Sequence, residues 1–341
     1  MSERIKWLRT VYEDGRHNAF TDIRLFRGSY YVCFRSATSH GSLDGQIRVM
    51  ASSDLREWRQ VALLSTALDD RDPKMAEFGG RLWEAGAPQG GGRLWVLGPT
   101  RTPNFPEELR SASRPYHFQS VAWSSADGES WSPGTILDPI HHRFWRPREH
   151  DGAMWVATHM THPQHGREDY VPLLRSTDML RWEEVSVIHE GQRANETDIE
   201  FLPDGTLVAF VRRETAGGAG TPLKTSRPPH TQWEQHDQPL DIRGPMLTQA
   251  EGRLYVAGRY MQPKSEAEGG GAWRDTRLYR VGDDWQLEEL AVLPAPDYAP
   301  ERAGDNSYCG AHYLGNGEML LSYYSGTSDR AEVFVAAIDI S

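Results

Sequence analysis

The chain has 341 residues, 38% hydrophobic and 25% charged, room for one large domain with a sizeable core and too apolar for a disordered chain. A formal net charge of −11 argues against a nucleic-acid binder, whose surface must be basic to neutralise phosphates. No run of 18 apolar residues suggests a membrane span, the opening MSERIKWLRT holds no apolar signal segment, and Cys33 and Cys309 are too few for a disulfide framework, so the expectation is a reduced, cytoplasmic protein.

In chain order, residues 7–11 read as an isolated strand, followed by paired strand candidates at 21–26 and 30–35. Residues 46–53 run into Ser52-x-Asp54-x-x-x-Trp58 and a strand over 58–64. Segments 81–86 and 93–98 compete for one strand position ahead of a second copy, Ser125-x-Asp127 to Trp131. Residues 170–176 lead to a third copy, Ser176-x-Asp178 to Trp182, and a strand over 182–188. Strand pairs at 197–202 with 206–212, and 246–249 with 253–259, precede degenerate copies at Ser226 to Trp233 and Asp283-Asp284-Trp285. The last strands, 307–314, 319–324 and 332–340, have no tryptophan after them.

Trp131, Trp182, Trp233 and Trp285 recur at intervals of 51, 51 and 52 residues. A period near 50 with several short strands per unit means propeller blades. Five units carry the repeat, and strand 7–11 completes the last one, which closes a ring of six and removes two sheet edges. The expected fold is therefore all-β, a six-bladed β-propeller spanning residues 1–341 as one domain. The Asp of each repeat is expected to accept backbone N–H bonds in a turn while the Trp packs between sheets, a structural rather than catalytic role.

Aligned second strands end alike, at Arg35, His159, Arg212, Arg259 and Tyr324. Three guanidiniums at one level in an acidic protein point to an anion-binding mouth, because the planar fork suits carboxylates. The first strands begin with a second polar set: His17, Asn18 and Asp22; Asp70-Arg71-Asp72; Arg146 and Arg148; Asn195, Glu196 and Asp198; Arg243; and Asp305-Asn306-Ser307-Tyr308. Turn chemistry accounts for Asp72 before Pro73 and for Asp305 before Asn306, whereas Glu196 and Tyr308 are not favoured turn residues.

The Ser-x-Asp-x-x-x-Trp repeats resemble the Asp-box of the sialidase superfamily, and 195–212 resembles that family's Glu-to-Arg stretch. The resemblance implies a retaining glycosidase with Tyr308 as nucleophile, Glu196 as its base and Asp44 as acid/base, with His40 nearby. It also implies arginines that hold an acidic sugar. Arg212 matches one, Arg243 or Arg259 another, and the first falls at His17-Asn18-Ala19-Phe20, where Asn18 is the nearest equivalent. Arg35, Asp72, Arg146, His159, Asp198 and Tyr324 complete the candidate substrate contacts. The expected partner is a small anionic saccharide, without nucleic acid or membrane. A uronate lyase using His159 or Tyr308 as base, and a non-catalytic carbohydrate-binding propeller, are the alternatives. No cofactor is expected: Gly90-Gly91-Gly92 and Gly269-Gly270-Gly271 open no helix, and His159, His162 and His165 alternate faces on a strand, which does not gather metal ligands.

Overall fold

A computed structural model describes residues 3–79, 92–102, 117–139, 141–161, 168–214, 220–266, 271–299, 302 and 304–341. The strand candidate 81–86, His162, His165, Gly90, Gly91, Gly269 and Gly270 lie outside the described residues. Among the described residues the regular structure is β and no α-helix occurs. After β1 (Ile5–Tyr12) come β2 (His17–Phe26), β3 (Ser29–Ala37), β4 (Gln46–Ser52) and β5 (Arg59–Leu64), then β6 (Asp69–Asp70), β7 (Lys74–Phe78), β8 (Arg93–Thr102), β9 (His117–Ser125) and β10 (Thr135–Ile136). β11 (Arg143–Phe144), β12 (Arg148–His150), β13 (Ala153–Thr161), β14 (Glu168–Ser176) and β15 (Glu183–Glu190) follow. Next are β16 (Ala194–Phe201), β17 (Leu207–Arg213), β18 (Leu223–Ser226) and β19 (Glu234–His236). β20 (Ile242–Ala250), β21 (Arg253–Pro263), β22 (Ala272–Val281) and β23 (Leu287–Leu293) lead to β24 (Asp305–Gly315), β25 (Glu318–Gly326) and β26 (Ala331–Asp339).

Each group folds as an antiparallel meander. Two of the groups have a first strand in two pieces: β6 and β7 both pair with β8, and β11 and β12 both pair with β13. β1 takes the fourth place beside β26, with Leu8 opposite Ala336, as strand 7–11 was expected to do. The units β2–β5 and β24–β26 with β1 are joined by a single parallel bridge, His17 to Ala331. First strands touch one another in the sequence β2, β7, β12, β16, β20, β24 and back to β2.

Burial follows that order. β2 is buried on both faces along most of its length, whereas the fourth strand β5 is largely exposed or half-exposed. Apolar side chains fill the spaces between consecutive units. Cys33 and Val49 meet Met75 and Val96; Leu97 and Ala122 meet Phe144 and Val156; Leu173 meets Ile199; Phe210 meets Val256; Ala257 meets Leu321; and Val335 meets Phe34. Face-to-face packing of this kind excludes water from both sides of each sheet and is the main source of stability.

The repeated turns behave as anticipated. Asp54 Oδ1 accepts from Arg56 N at 2.8 Å and Glu57 N at 3.1 Å; Asp127 Oδ1 accepts from Glu129 N and Ser130 N; Asp178 Oδ1 accepts from Leu180 N and Arg181 N. These N–H bonds hold the Asp127 carboxyl well below the usual carboxylate range. The residue after each Asp is left-handed: Leu55 (φ 62), Gly128 (φ 81) and Met179 (φ 69). The copy at Asp284 differs from its expected alignment. Asp284 caps Gln286 N, and Trp285 itself takes the left-handed place (φ 64), stacking on His236 at 4.7 Å. Its 52-residue spacing therefore does not make Trp285 equivalent to Trp182, because the residues that separate Asp from Trp elsewhere are missing.

Candidate active site

Every first strand is interrupted at the same level. Register breaks fall between Ala19 and Asp22, Ala194 and Thr197, Arg243 and Met246, and Ser307 and Gly310, while gaps separate β6 from β7 and β11 from β12. A bulge releases a residue from the ladder and re-aims its side chain. The residues released are Phe20, Arg71 with Asp72, Trp145 with Arg146, Asn195 with Glu196, Gly244, and Tyr308. Phe20 (φ 62), Asp72 (φ 41), Gly244 (φ 58), Ser307 (φ 86) and Tyr308 (φ 50) are left-handed, a conformation costing non-glycine residues roughly 1–2 kcal/mol each. Ala19, Phe20, Trp145, Tyr308, Tyr324 and Ala331 pack as one apolar cluster.

Tyr308 and Glu196, 112 residues apart, meet here. Tyr308 Oη donates to Glu196, with Oη 2.8 Å from Oε1 and 3.1 Å from Oε2. Arg212 Nη1 donates to the phenol oxygen at 3.2 Å and also pairs with Glu196, while Nη2 pairs with Glu214. Burial, followed by the Glu196 charge, pushes the Tyr308 hydroxyl far above its ordinary value, against the pull of Arg212 and Arg259. The phenol is therefore protonated at neutral pH, with a carboxylate placed to take its proton and a guanidinium placed to stabilise the oxygen that remains. The ring is held by Phe20, edge-on at 4.9 Å, by Trp145 at 5.9 Å, and by Arg259 with its guanidinium carbon 5.4 Å from the ring centre.

A second cluster centres on Asp305. Its Oδ1 receives Arg259 Nη2 at 2.7 Å and Tyr324 Oη at 2.8 Å; its Oδ2 meets His17 Nε2 at 2.8 Å and His40 Nδ1 at 2.6 Å. Although burial raises the Asp305 carboxyl, the two histidines and Arg259 outweigh it and hold Asp305 well below the usual range. His17, buried with Nδ1 unpartnered, is pushed down by burial and stays neutral. His17, His40 and Asp305 place ligand-type atoms within 4.8 Å of one another. The contacts are those of a hydrogen-bonded network, since both imidazoles share one oxygen and Arg259 already compensates the carboxylate.

The other candidates fall elsewhere. Arg146, 3% exposed, lies between Asp22 at 3.3 Å and Asp198 and donates to the Cys309 carbonyl at 2.7 Å. Asp22 accepts Met75 N and Asp198 accepts Leu247 N, each at 2.8 Å, so this buried group ties β2, β7, β16, β20 and β24 to the gap between β11 and β12. Arg35 is fully buried and its guanidinium is taken by Asp69, Ser39 O and Ser42 O. Arg243 pairs with Asp241 at 2.9 Å, so of the two it is Arg259 that lies with Arg212 beside Tyr308. Asn18 binds Asp14, His159 meets Arg143 across the strand pair, and Asp44 binds Arg16 and Thr38. Although burial raises the Asp44 carboxyl, its hydrogen bonds, those with Thr38 among them, and the Arg16 charge outweigh it and hold it well below the usual range. Asp72, half-buried, lies near enough for its charge to act on Tyr308. Reading the sequence missed the part played by Asp305, which was assigned to turn chemistry, and by Phe20; a polar-to-aromatic break inside a buried first strand was the available signal.

Gly244 leaves room for the Tyr308 ring, because a Cβ there would lie 2.8 Å from Cε2. Gly244→Ala is expected to displace the ring and, because the backbone there is left-handed, to destabilise the chain by at least about 1 kcal/mol. Urea titration checks this; an unchanged midpoint would show that the Tyr308 ring needs no such gap.

The fold is the propeller-like fold of glycoside hydrolases. The chain aligns with a protein of unknown function from Dyadobacter fermentans DSM 18053 at 16% identity, TM-score 0.76, covering 99% of each chain. It aligns with Trypanosoma rangeli sialidase bound to the inhibitor DANA at 14% identity and TM-score 0.65, covering 98% of this chain and 58% of that one. A Penicillium chrysogenum α-L-arabinanase aligns at 13% identity and TM-score 0.61, covering 98% of each. No protein-family model and no curated protein sequence matches the chain.

Proposed function

We propose that this chain is a retaining glycoside hydrolase, a sialidase-like propeller of six blades closed by β1, that cleaves a small saccharide bearing an acidic group. The contact of Tyr308 Oη with Glu196 at 2.8 Å carries the reading. The cyclic contact of first strands and the six intersheet cores support the ring. Tyr308 attacks the anomeric carbon as Glu196 takes its proton, and the aglycone leaves; water then releases the sugar from Tyr308, which recovers its proton from Glu196. A tyrosine avoids setting a carboxylate against an anionic sugar, the recognised departure from two-carboxylate hydrolysis. The test is a 2-fluoro glycoside that traps the intermediate. Peptide mass spectrometry should find the sugar on Tyr308, and labelling elsewhere, or inversion of the product, would overturn the mechanism.

Charge pairing sets the affinity for the acidic group. Arg212 already carries Glu196 and Glu214, and Arg259 carries Asp305, so a substrate carboxylate must compete with an internal one. Freeing one guanidinium restores a charge-assisted bond of about 1.5–3 kcal/mol. Glu214→Gln is therefore expected to shift the Kd ratio of matched acidic and neutral sugars at least about tenfold towards the acidic one, read by calorimetry. An unchanged ratio would remove Arg212 from anion recognition.

A further inference from the structure

We infer that His40, oriented by Asp305, is the acid/base that serves the departing aglycone and the incoming water. This rests on the glycosidase reading above and adds the residue that reading lacks. A retaining hydrolase needs a second proton carrier besides the Tyr308–Glu196 pair, because an alkoxide leaves poorly unless protonated. Asp44 is poorly placed for it: its carboxylate is occupied by Arg16 Nη2 at 2.8 Å and by the Thr38 hydroxyl at 2.6 Å.

His40 has the opposite surroundings. Its side chain is 42% exposed, yet its backbone is pinned from two directions, with His40 N donating to Ser328 O at 2.7 Å and Arg71 Nη2 donating to His40 O at 2.8 Å. Asp305 can only accept, so the 2.6 Å contact is Nδ1–H to Oδ2 and leaves Nε2 as the working nitrogen. Its ring meets Phe20 edge-on at 5.4 Å, and Phe20 meets Tyr308 at 4.9 Å, so acid/base and nucleophile flank one aromatic platform. An imidazole whose far nitrogen is fixed by a buried carboxylate is the arrangement that holds a proton carrier in one tautomer and one orientation. The groups facing His40 are Asp305, His17 at 5.4 Å between ring centres, Arg71, and, through Asp305, Arg259 and Tyr324.

The proton inventory closes. As the Tyr308 oxygen bonds to the anomeric carbon, the bond to the aglycone oxygen breaks and Nε2–H protonates that oxygen. His40, now neutral, takes a proton from water, whose oxygen displaces Tyr308; the phenolate recovers its proton from Glu196. No oxidant or metal enters.

The experiment compares His40→Ala and His40→Gln with the wild-type chain on alkyl and dinitrophenyl glycosides of one sugar, with melting curves for all three. His40→Gln keeps a donor towards Asp305 but cannot carry a proton, so it serves if His40→Ala folds poorly. The expected result is a loss in kcat/KM of roughly 10³-fold on alkyl glycosides and under about tenfold on dinitrophenyl glycosides, with azide restoring turnover and yielding a glycosyl azide of retained configuration. Asp305→Asn, a positioning change, should lower kcat on alkyl glycosides far more than on dinitrophenyl glycosides with KM little changed, because the amide no longer fixes the tautomer that presents Nε2. A loss equal across leaving groups, or a selective loss in Asp44→Asn or Asp72→Asn with none in His40→Ala, overturns the assignment while the glycosidase reading stands. Wild-type chain that hydrolyses none of the glycosides overturns both.

Discussion

Tyr308→Phe is expected to lower kcat by at least about 10³-fold with little change in melting temperature and with ligand binding retained. The substitution removes one oxygen from a ring whose packing against Phe20 and Trp145 is untouched. On the proposed mechanism the nucleophile itself is lost, so the two-step route closes and only the binding and electrostatic contributions of the pocket remain. Glu196→Gln should also lose activity, about 10²–10⁴-fold, because the phenol survives but its proton has no acceptor. Calorimetric titration with the unhydrolysed sugar separates this from a binding defect. Unchanged turnover in Tyr308→Phe would remove Tyr308 from the mechanism and leave a carbohydrate-binding propeller or a lyase.

Arg146→Met is expected to be the most destabilising single change, costing about 3–5 kcal/mol. The cost comes from the partners rather than from the arginine. Asp22 and Asp198 are 2% and 0% exposed, and without the guanidinium two carboxylates remain in the protein interior. Met75 N and Leu247 N still bond them and Arg148 Nη2 stays 3.6 Å from Asp198, but Asp22 loses its guanidinium partner, and an amide dipole does not replace a full charge. Urea titration at neutral pH measures the loss. Asp22→Asn with Asp198→Asn in the same chain should recover part of it, because the uncompensated charges are then gone. A loss under about 1 kcal/mol would mean that water reaches Arg146.

Much of the architecture was legible because it depends on local chemistry. Asp54, Asp127 and Asp178 cap turns through carboxylates two or three residues from the N–H groups they accept, and such contacts are set by spacing in the chain. The copy at Asp284 misled for the same reason: periodic tryptophans imitate a repeat even where the turn has lost its middle residues. In the site, Glu196, Arg212, Arg259 and Tyr308 could be named from their repeated place at strand ends and from resemblance. Their partners could not. Asp305 looked like a turn former beside Asn306, yet it gathers Arg259, Tyr324, His17 and His40 from three other first or second strands and one loop.

By itself the amino-acid order determined that the chain builds β units of about 50 residues and that its first strand must find a partner among its last. The tertiary structure alone decided which charges face which. Arg35 and Arg259 stand at equivalent strand ends, but Arg35 is sealed by Asp69 while Arg259 lies over the Tyr308 ring. A side chain's charge is local information, whereas its compensation depends on groups tens to hundreds of residues away that only the packed sheets bring within a few ångströms.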